Sequence, residues 1–248
     1  MNASLKQQLR HAVRRFGYEI VPSGDVEGHA FVRHLSALFR KLDIRCVLDV
    51  GANRGQYRRL LRERVGYDGR IISFEPQSRN AAHLRDEARA DPRWQIHDYA
   101  LGSTDTRLDL NIMRADLLSS FLDPNPAMAP MFRDVNVIER KETVEVRRLD
   151  SIRGTLGGLE NVFLKLDTQG FDLEVIRGAL ATLLTVRALQ TEIAMQPLYR
   201  NAPSYQETLD ALAALGFAVT AMAPVSRDEL MRVIEFDCVL VNSVAAAV

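Results

Sequence analysis

An excess of charge of either sign is the first thing this chain lacks, since its 32 Lys and Arg balance 32 Asp and Glu. A protein that grips nucleic acid through the phosphates wants a basic surplus, so bulk nucleic-acid binding is disfavoured. Cysteine is nearly missing: there are two in 248 residues, Cys46 and Cys238, each in an apolar, strand-like stretch. They read as buried thiols in a reducing compartment, not as a disulfide or a metal site. No run of ~20 apolar residues occurs, so no segment is expected to span a membrane. The N-terminus lacks the continuous apolar region of a signal peptide, and the expected location is cytoplasmic. Internal repeats and low-complexity tracts are also lacking. The 47% of apolar residues that are present suffice for the core of one α/β domain.

The stretch Val47-Leu48-Asp49-Val50-Gly51-Ala52-Asn53-Arg54-Gly55-Gln56-Tyr57 organises the rest. Val47, Leu48 and Val50 suit a strand buried on both faces. Gly51 lets the backbone turn tightly beside a ligand, and Gly55 lets the next helix pack close. The helix start points free N–H groups into a crevice, and Asp49 ends the strand where open α/β sheets bind ligands. Ile71-Ile72-Ser73-Phe74-Glu75-Pro76 reads as a second strand. Its acid falls about 20 residues past Gly55, the spacing at which a carboxylate grips a ribose 2′-hydroxyl. A third strand, Trp94-Gln95-Ile96-His97-Asp98, again ends in an acid. Any one of these acids alone reads as a solvated strand end. The three together with the glycine turn point to a nucleoside-containing ligand. A dinucleotide fingerprint needs G-x-G-x-x-G, and Asn53 and Gln56 stand at its second and third glycines, which disfavours an NAD-linked oxidoreductase.

Before this stretch, Leu5, Leu9, Val13 and Phe16 share one helical face, with Lys6, Arg10 and Arg14 recurring every four residues. A helix over residues 1–18 with that pattern either docks on its own domain or makes a peripheral contact with an anionic membrane. A second helix is expected over residues 29–41. Residues 1–43 thus form an N-terminal helical segment and residues 44–248 the α/β domain. Helices over 54–65 and over 78–90, the latter capped by Ser78, complete a β-α-β-α-β order. Residues 113–135 lie between alternating strands at 106–112 and 142–148, and carry Pro124, Pro126 and Pro130 among Met128, Met131 and Phe132. Both an irregular loop and a substrate lid beside Ser119 and Ser120 fit that composition. A fourth core strand at 161–167, a helix at 173–184, a fifth strand at 188–193, a helix ending near Leu215-Gly216 and two strands at 217–222 and 233–241 follow.

The D-x-G-x-x-x-G pattern of Asp49 to Gly55 resembles the S-adenosylmethionine site of class I methyltransferases, which also close on an antiparallel strand pair. Over roughly residues 44–243 the chain resembles the FkbM-type methyltransferases. The matching pieces are the stretch from Val47 to Tyr57, Phe74-Glu75-Pro76, Tyr99-Ala100-Leu101-Gly102, the serine pair at 119–120 and Arg148-Leu149-Asp150. The most specific is Leu164-Lys165-Leu166-Asp167-Thr168-Gln169-Gly170-Phe171-Asp172-Leu173-Glu174-Val175, joined by Gln190-Thr191-Glu192 and Pro197-Leu198-Tyr199. Phe121 departs from the family, which often has leucine after the serine pair. Phe16-Gly17-Tyr18-Glu19-Ile20 is similar to the start of members acting on glycan or glycolipid sugars. The resemblance implies a doubly wound, mostly parallel seven-stranded sheet. It also implies S-adenosylmethionine-dependent O-methylation of a hydroxyl on a sugar or a polyketide-like natural product. The cofactor site it implies comprises Asp49, Gly51, Ala52, Asn53, Gly55, Gln56, Tyr57, Glu75, Pro76, Asp98, Tyr99 and Ala100. In it the glycine turn holds the methionine part, Glu75 the ribose hydroxyls, and Asp98 faces the adenine amino group.

Methyl transfer to an alcohol needs alignment, removal of the hydroxyl proton and exclusion of water. The five histidines avoid the ends of the fourth and fifth strands, and only His97 falls near the expected cofactor. Asp167 and Glu192 do end those strands, and neighbouring strands lie ~4.8 Å apart, so the two carboxylates can converge. One can take the proton, or both can hold Mg²⁺, a hard cation suited to oxygen ligands. Lys165 reads as an ion-pair partner, and Asp172 and Glu174 as acids favouring a helix start. The competing reading is a non-catalytic S-adenosylmethionine-binding regulatory module. The acid pair and the serine pair favour the enzyme.

Overall fold

The computed structural model describes residues 21–243 together with Val13, Phe16 and Tyr18. Apart from those three residues, the basic amphipathic helix expected over 1–18 lies outside the described residues. The chain begins with helix α1 (Val26–Lys41), strand β1 (Cys46–Val50), helix α2 (Gln56–Leu60), strand β2 (Arg70–Phe74), helix α3 (Ser78–Ala88) and strand β3 (Trp94–His97). An insertion follows, with β4 (Ala100–Leu101), β5 (Thr106–Met113) and β6 (Ile138–Arg147), and then the short helix α4 (Leu149–Ile152). The second half contains β7 (Val162–Leu166), α5 (Asp172–Arg177), β8 (Val186–Ala194), α6 (Tyr205–Ala214), β9 (Phe217–Arg227) and β10 (Val233–Asn242).

Seven strands form one sheet in the order β3-β2-β1-β7-β8-β10-β9. Strands β3, β2, β1, β7 and β8 run parallel, while β10 pairs antiparallel with both β8 and β9. This is the doubly wound, mostly parallel seven-stranded sheet expected from the sequence. The continuous apolar runs follow from the period-two alternation of side chains with both faces covered. Val47, Ile71, Phe163 and Ala188 pack with Val32, Leu35, Leu38 and Phe39 of α1. Leu48, Ile72, Leu164 and Leu189 pack on the other face with Leu149, Val175, Ile176 and Leu212. Burial of each large apolar side chain contributes roughly 1.5–3 kcal/mol, so α1 is held to the sheet by its apolar stripe as part of the same core. Strand order reverses between β1 and β7, and the crevice at their carboxyl ends is where this architecture binds ligands.

Several boundaries differ from expectation. Ser78 is the first residue of α3 rather than its cap; Gln77 holds the cap position, without a side-chain cap bond. Helix α5 stops at Arg177, not near 184. There the Asp150 carboxylate takes the backbone N–H groups of Ala181 and Thr182 at 2.9 and 2.8 Å, so those groups do not extend the helix. Strand β9 continues to Arg227 through Pro224, which an edge strand tolerates because no further strand needs its missing N–H. The insertion strands form a separate sheet in the order β4-β6-β5. Much of the expected lid is anchored: Met128 and Ala129 are buried with Leu198, Tyr199 and Ile234. Asn125 N–H donates to the Leu198 carbonyl at 2.9 Å, and Arg200 N–H to that of Asp123 at 2.8 Å.

Candidate active site

Gly51 brings the two halves of the sheet together. Its φ is +82°, and a Cβ there would lie 2.0 Å from the carbonyl oxygen of Asp167, so only glycine permits this approach of the loops after β1 and β7. Gly55, at φ +74°, packs against the Trp94 ring at 3.0 Å from where its Cβ would be, the close helix packing expected of it. Between them Asn53 adopts φ +47°, a conformation asparagine tolerates better than most residues. That bend aims the Asn53 N–H at Glu75, whose Oε2 accepts it at 2.7 Å, while Oε1 accepts the Gln77 N–H at 2.8 Å. Glu75 is 5% exposed with no cation beside it, and burial pushes its carboxyl up to about 8.

These loops wall a cavity of about 550 Å³. Of the residues expected around the cofactor, Gly51, Asn53, Glu75, Pro76 and Ala100 line it, and Asp167 lines it too. The sequence reading missed Gln77, Leu101, Leu110, Thr168 and Gln169, and gave Ser119 and Phe121 no cofactor contact; all of them share the wall. The insertion contributes the Asp116–Leu118 turn, tied to the glycine loop by an Arg54–Asp116 ion pair of 2.7 Å. Phe121, the departure from the family pattern, packs on Phe171 with ring centroids 4.8 Å apart.

The other expected residues stand behind the wall. Asp49 is buried beneath the turn, where it accepts from Ser73 Oγ at 2.8 Å, and Ser73 in turn accepts from Trp94 Nε1 at 2.9 Å. Burial lifts the Asp49 carboxyl to about 6. Ala52 is buried, Gln56 donates to Asn53 Oδ1 at 3.0 Å, and Tyr57 donates to Gln190 Oε1 at 2.9 Å. Tyr99 meets His97 Nδ1 at 3.1 Å. Asp98 forms an ion pair with Arg85 at 2.5 Å, which lowers its proton affinity, and it is not among the residues that line this cavity. The strand ends at His97, so the residue after it turns outward.

Asp167 and Glu192 are brought together, but not face to face. Gln169 Nε2 donates to Asp167 Oδ1 and to Glu192 Oε2, each at 3.0 Å. A hydrogen-bond donor therefore occupies the place a bridging Mg²⁺ would need. Among the described residues no group of three or more His, Cys, Asp or Glu is arranged to hold a metal ion. Gln169 itself adopts φ +53° and is held at both ends. Its carbonyl accepts from Ser120 Oγ at 2.7 Å, and its Oε1 lies 2.8 Å from the Tyr199 hydroxyl. Lys165, read as an ion-pair partner, lies 3.4 Å from Asp167 and 3.7 Å from Asp237. Burial opposes its charge, but Asp167, Asp237 and Glu192 outweigh that and keep it an ammonium. Asp172 does more than favour a helix start: it accepts from Thr168 N–H at 2.9 Å and Thr191 Oγ1 at 2.7 Å, fixing the loop that carries Gln169.

Glu192 faces a second cavity of about 510 Å³, whose wall includes Tyr199, Glu235 and Leu198. Burial and the nearby Asp167 and Glu235 push its carboxyl well up, and burial with Asp167 raises Glu235 to about 7. Gln169 is the one residue in both walls. It and Tyr199 sit inside the stretches that carried the family resemblance. Spacing alone could not assign them roles, because these depend on a left-handed backbone and on contacts 30 residues apart.

The strand order and the glycine turn at its switch point define a class I methyltransferase fold. The chain belongs to the FkbM methyltransferase family: the model described as "Methyltransferase FkbM domain" matches residues 49–219. It is 28% identical over 241 residues to the 2-O-methyltransferase NoeI of Sinorhizobium fredii, covering 92% of this chain and 93% of that one. It is similar in structure to methyltransferase FkbM from Methylobacillus flagellatus KT, with 16% identity, a TM-score of 0.49 and 80% of this chain covered, and it spans 44% of that chain. A putative O-methyltransferase from Klebsiella pneumoniae matches with 12% identity and a TM-score of 0.49, over 98% of this chain and 91% of that one.

Proposed function

We propose that the protein is an S-adenosylmethionine-dependent O-methyltransferase acting on a hydroxyl of a sugar, carried on a glycan, a glycolipid or a natural product. The observation that carries this reading is that Glu75 and Asp167 wall one cavity on either side of Gly51. The cavity suits the cofactor chemically. Glu75 offers acceptors to a ribose diol, Leu101, Leu110 and Phe121 offer an apolar wall to a purine, and Gly51 lets the loops after β1 and β7 meet at the cavity. Family membership and the sugar-directed cue at the N-terminus support the acceptor class, as does the likeness to a relative named as a 2-O-methyltransferase.

When bound, S-adenosylmethionine supplies an electrophilic methyl group on a sulfonium. The chain's own part is to orient the acceptor oxygen, take its proton and exclude water. In this reading Asp167 accepts the hydroxyl proton as the oxygen–methyl bond forms and the sulfur–methyl bond breaks. Glu192 is the second acid of the pair. Lys165, fixed by Asp237, holds Asp167 in position. The Asp116–Leu118 turn, with Ser119 and Phe121, is the part of the insertion that closes over the site. A membrane-surface role for residues 1–18 would bring the enzyme to a lipid-linked acceptor.

The test is Asp167→Asn, assayed by S-adenosylhomocysteine release against a panel of sugars. General-base assistance is typically worth about 10²–10⁴-fold, so turnover should fall by that factor while cofactor affinity stays within about twofold. EDTA should leave the wild type unaffected. Full turnover of the variant with the true acceptor removes Asp167 as the base.

A further inference from the structure

We propose that the second cavity, behind Gln169, is the acceptor subsite and receives a hydroxylated sugar ring, with Glu192 and Glu235 taking its hydroxyls. This rests on reading the first cavity as the cofactor site. The two cavities, both partly open to solvent, have Gln169 as their common wall. A ring seated in the second therefore reaches the first only past that side chain.

The lining suits a sugar. Its wall combines the polar Glu192, Glu235 and Tyr199 with the apolar Leu173, Leu198 and Pro203. A pyranose presents the same two characters, hydroxyl groups on its rim and C–H groups on its face. Glu235 is the more telling of the acids. It is 7% exposed, yet among the described residues its side chain makes one hydrogen bond, a long one of 3.4 Å from Ser226 Oγ. Lys165, a buried cation, pairs instead with Asp167 and Asp237. That leaves the carboxyl with bonding positions free for a ligand. Both acids hold protons more tightly than an ordinary carboxyl because of burial and of the nearby Asp167, and Glu235 adds to the effect on Glu192. A carboxyl that keeps its proton both donates and accepts, which matches a hydroxyl.

Gln169 is a positioning residue in this arrangement. Its Nε2 lies 3.0 Å from Asp167 and 3.0 Å from Glu192, at a point where an acceptor hydroxyl would donate to either acid. The amide stands in for that hydroxyl until the acceptor arrives. Tyr199, 2.8 Å from Oε1, holds it there. Rotation of the side chain opens one cavity to the other and exposes Asp167 to the acceptor oxygen.

Ligand-observed NMR tests this on the protein saturated with S-adenosylhomocysteine. The probes are the methyl glycosides of fucose, rhamnose, glucose and galactose, with methyl glucosaminide beside the glucoside. The expected result is saturable binding of at least one neutral glycoside. Glu235→Gln should weaken it about tenfold and Ala202→Trp, which fills the cavity, should abolish it, with S-adenosylhomocysteine affinity unchanged in both. Binding of no glycoside overturns the assignment, as does binding indifferent to both substitutions. A preference of more than about tenfold for the glucosaminide would make this an ammonium site and overturn it also. Failure of S-adenosylhomocysteine to bind would bring down the cofactor reading and this assignment with it. Its normal binding without any glycoside brings down this assignment alone.

Discussion

Glu75 should make nucleoside binding depend on pH in one direction only. Its carboxylate accepts two backbone N–H groups but faces no cation, and burial raises it from 4.5 to about 8. In the free protein the folded state then holds more protons than the unfolded state between those values, so this group's contribution to stability falls as pH rises through that window. The full excursion corresponds to up to about 5 kcal/mol. Hydroxyls of a ribose donate to the ionised carboxylate, so binding favours loss of the proton. Affinity should therefore rise by up to about tenfold per pH unit below pH 8 and level off above it. The ligand for this experiment is 5′-methylthioadenosine, which has the nucleoside but no amino acid part to titrate in the same range. Calorimetry in two buffers of different ionisation enthalpy should show nearly one proton released near neutrality. Glu75→Gln should flatten the profile and, above pH 8, weaken binding by about tenfold or more, the loss of charge-assisted bonds. A flat profile in the wild type refutes the reasoning, and so does an unchanged slope in the variant.

Other expectations follow from single contacts. Gly51→Ala forces a Cβ to 2.0 Å from the Asp167 carbonyl at φ +82°, so stability should drop by about 2 kcal/mol or more and cofactor binding by over about tenfold; thermal melts and calorimetry check both. Asp91 is opposed by burial but held down to about 2 by Arg62 and Arg58, at 3.0 and 2.7 Å. Its contribution is present above the ordinary carboxyl value and lost as pH falls toward 2. Asp91→Asn should therefore cost roughly 2–3 kcal/mol at pH 7 in urea unfolding, with the two proteins converging at low pH.

The parts of the molecule readable in advance are those that repeat a local pattern. The apolar runs of β1, β2 and β7 announced strands buried on both faces, and Gly51 and Gly55 announced the turn between them. What was missed depends on residues far apart in the chain. Helix α5 ends early because Asp150, on another element, takes the N–H groups of Ala181 and Thr182. Asp98 matched the strand-end pattern, and its pairing with Arg85 was not legible there. Asp167 and Glu192 were expected to converge from adjacent strands, and they do approach one nitrogen. The expectation lacked Gln169 between them, and with it the division of the site into two cavities. Over 113–135, where the sequence left a lid and an irregular loop both open, Met128 and Ala129 are part of a buried cluster, and Asp116, Leu117, Ser119 and Phe121 reach the wall.

The most direct test of the account is a crystal structure of the protein with S-adenosylhomocysteine. The account predicts the nucleoside in the cavity between Gly51 and Glu75, with the ribose hydroxyls on the Glu75 carboxylate and the sulfur nearer Asp167 than Glu75. A nucleoside bound elsewhere, or in this cavity with its ribose away from Glu75, would contradict it.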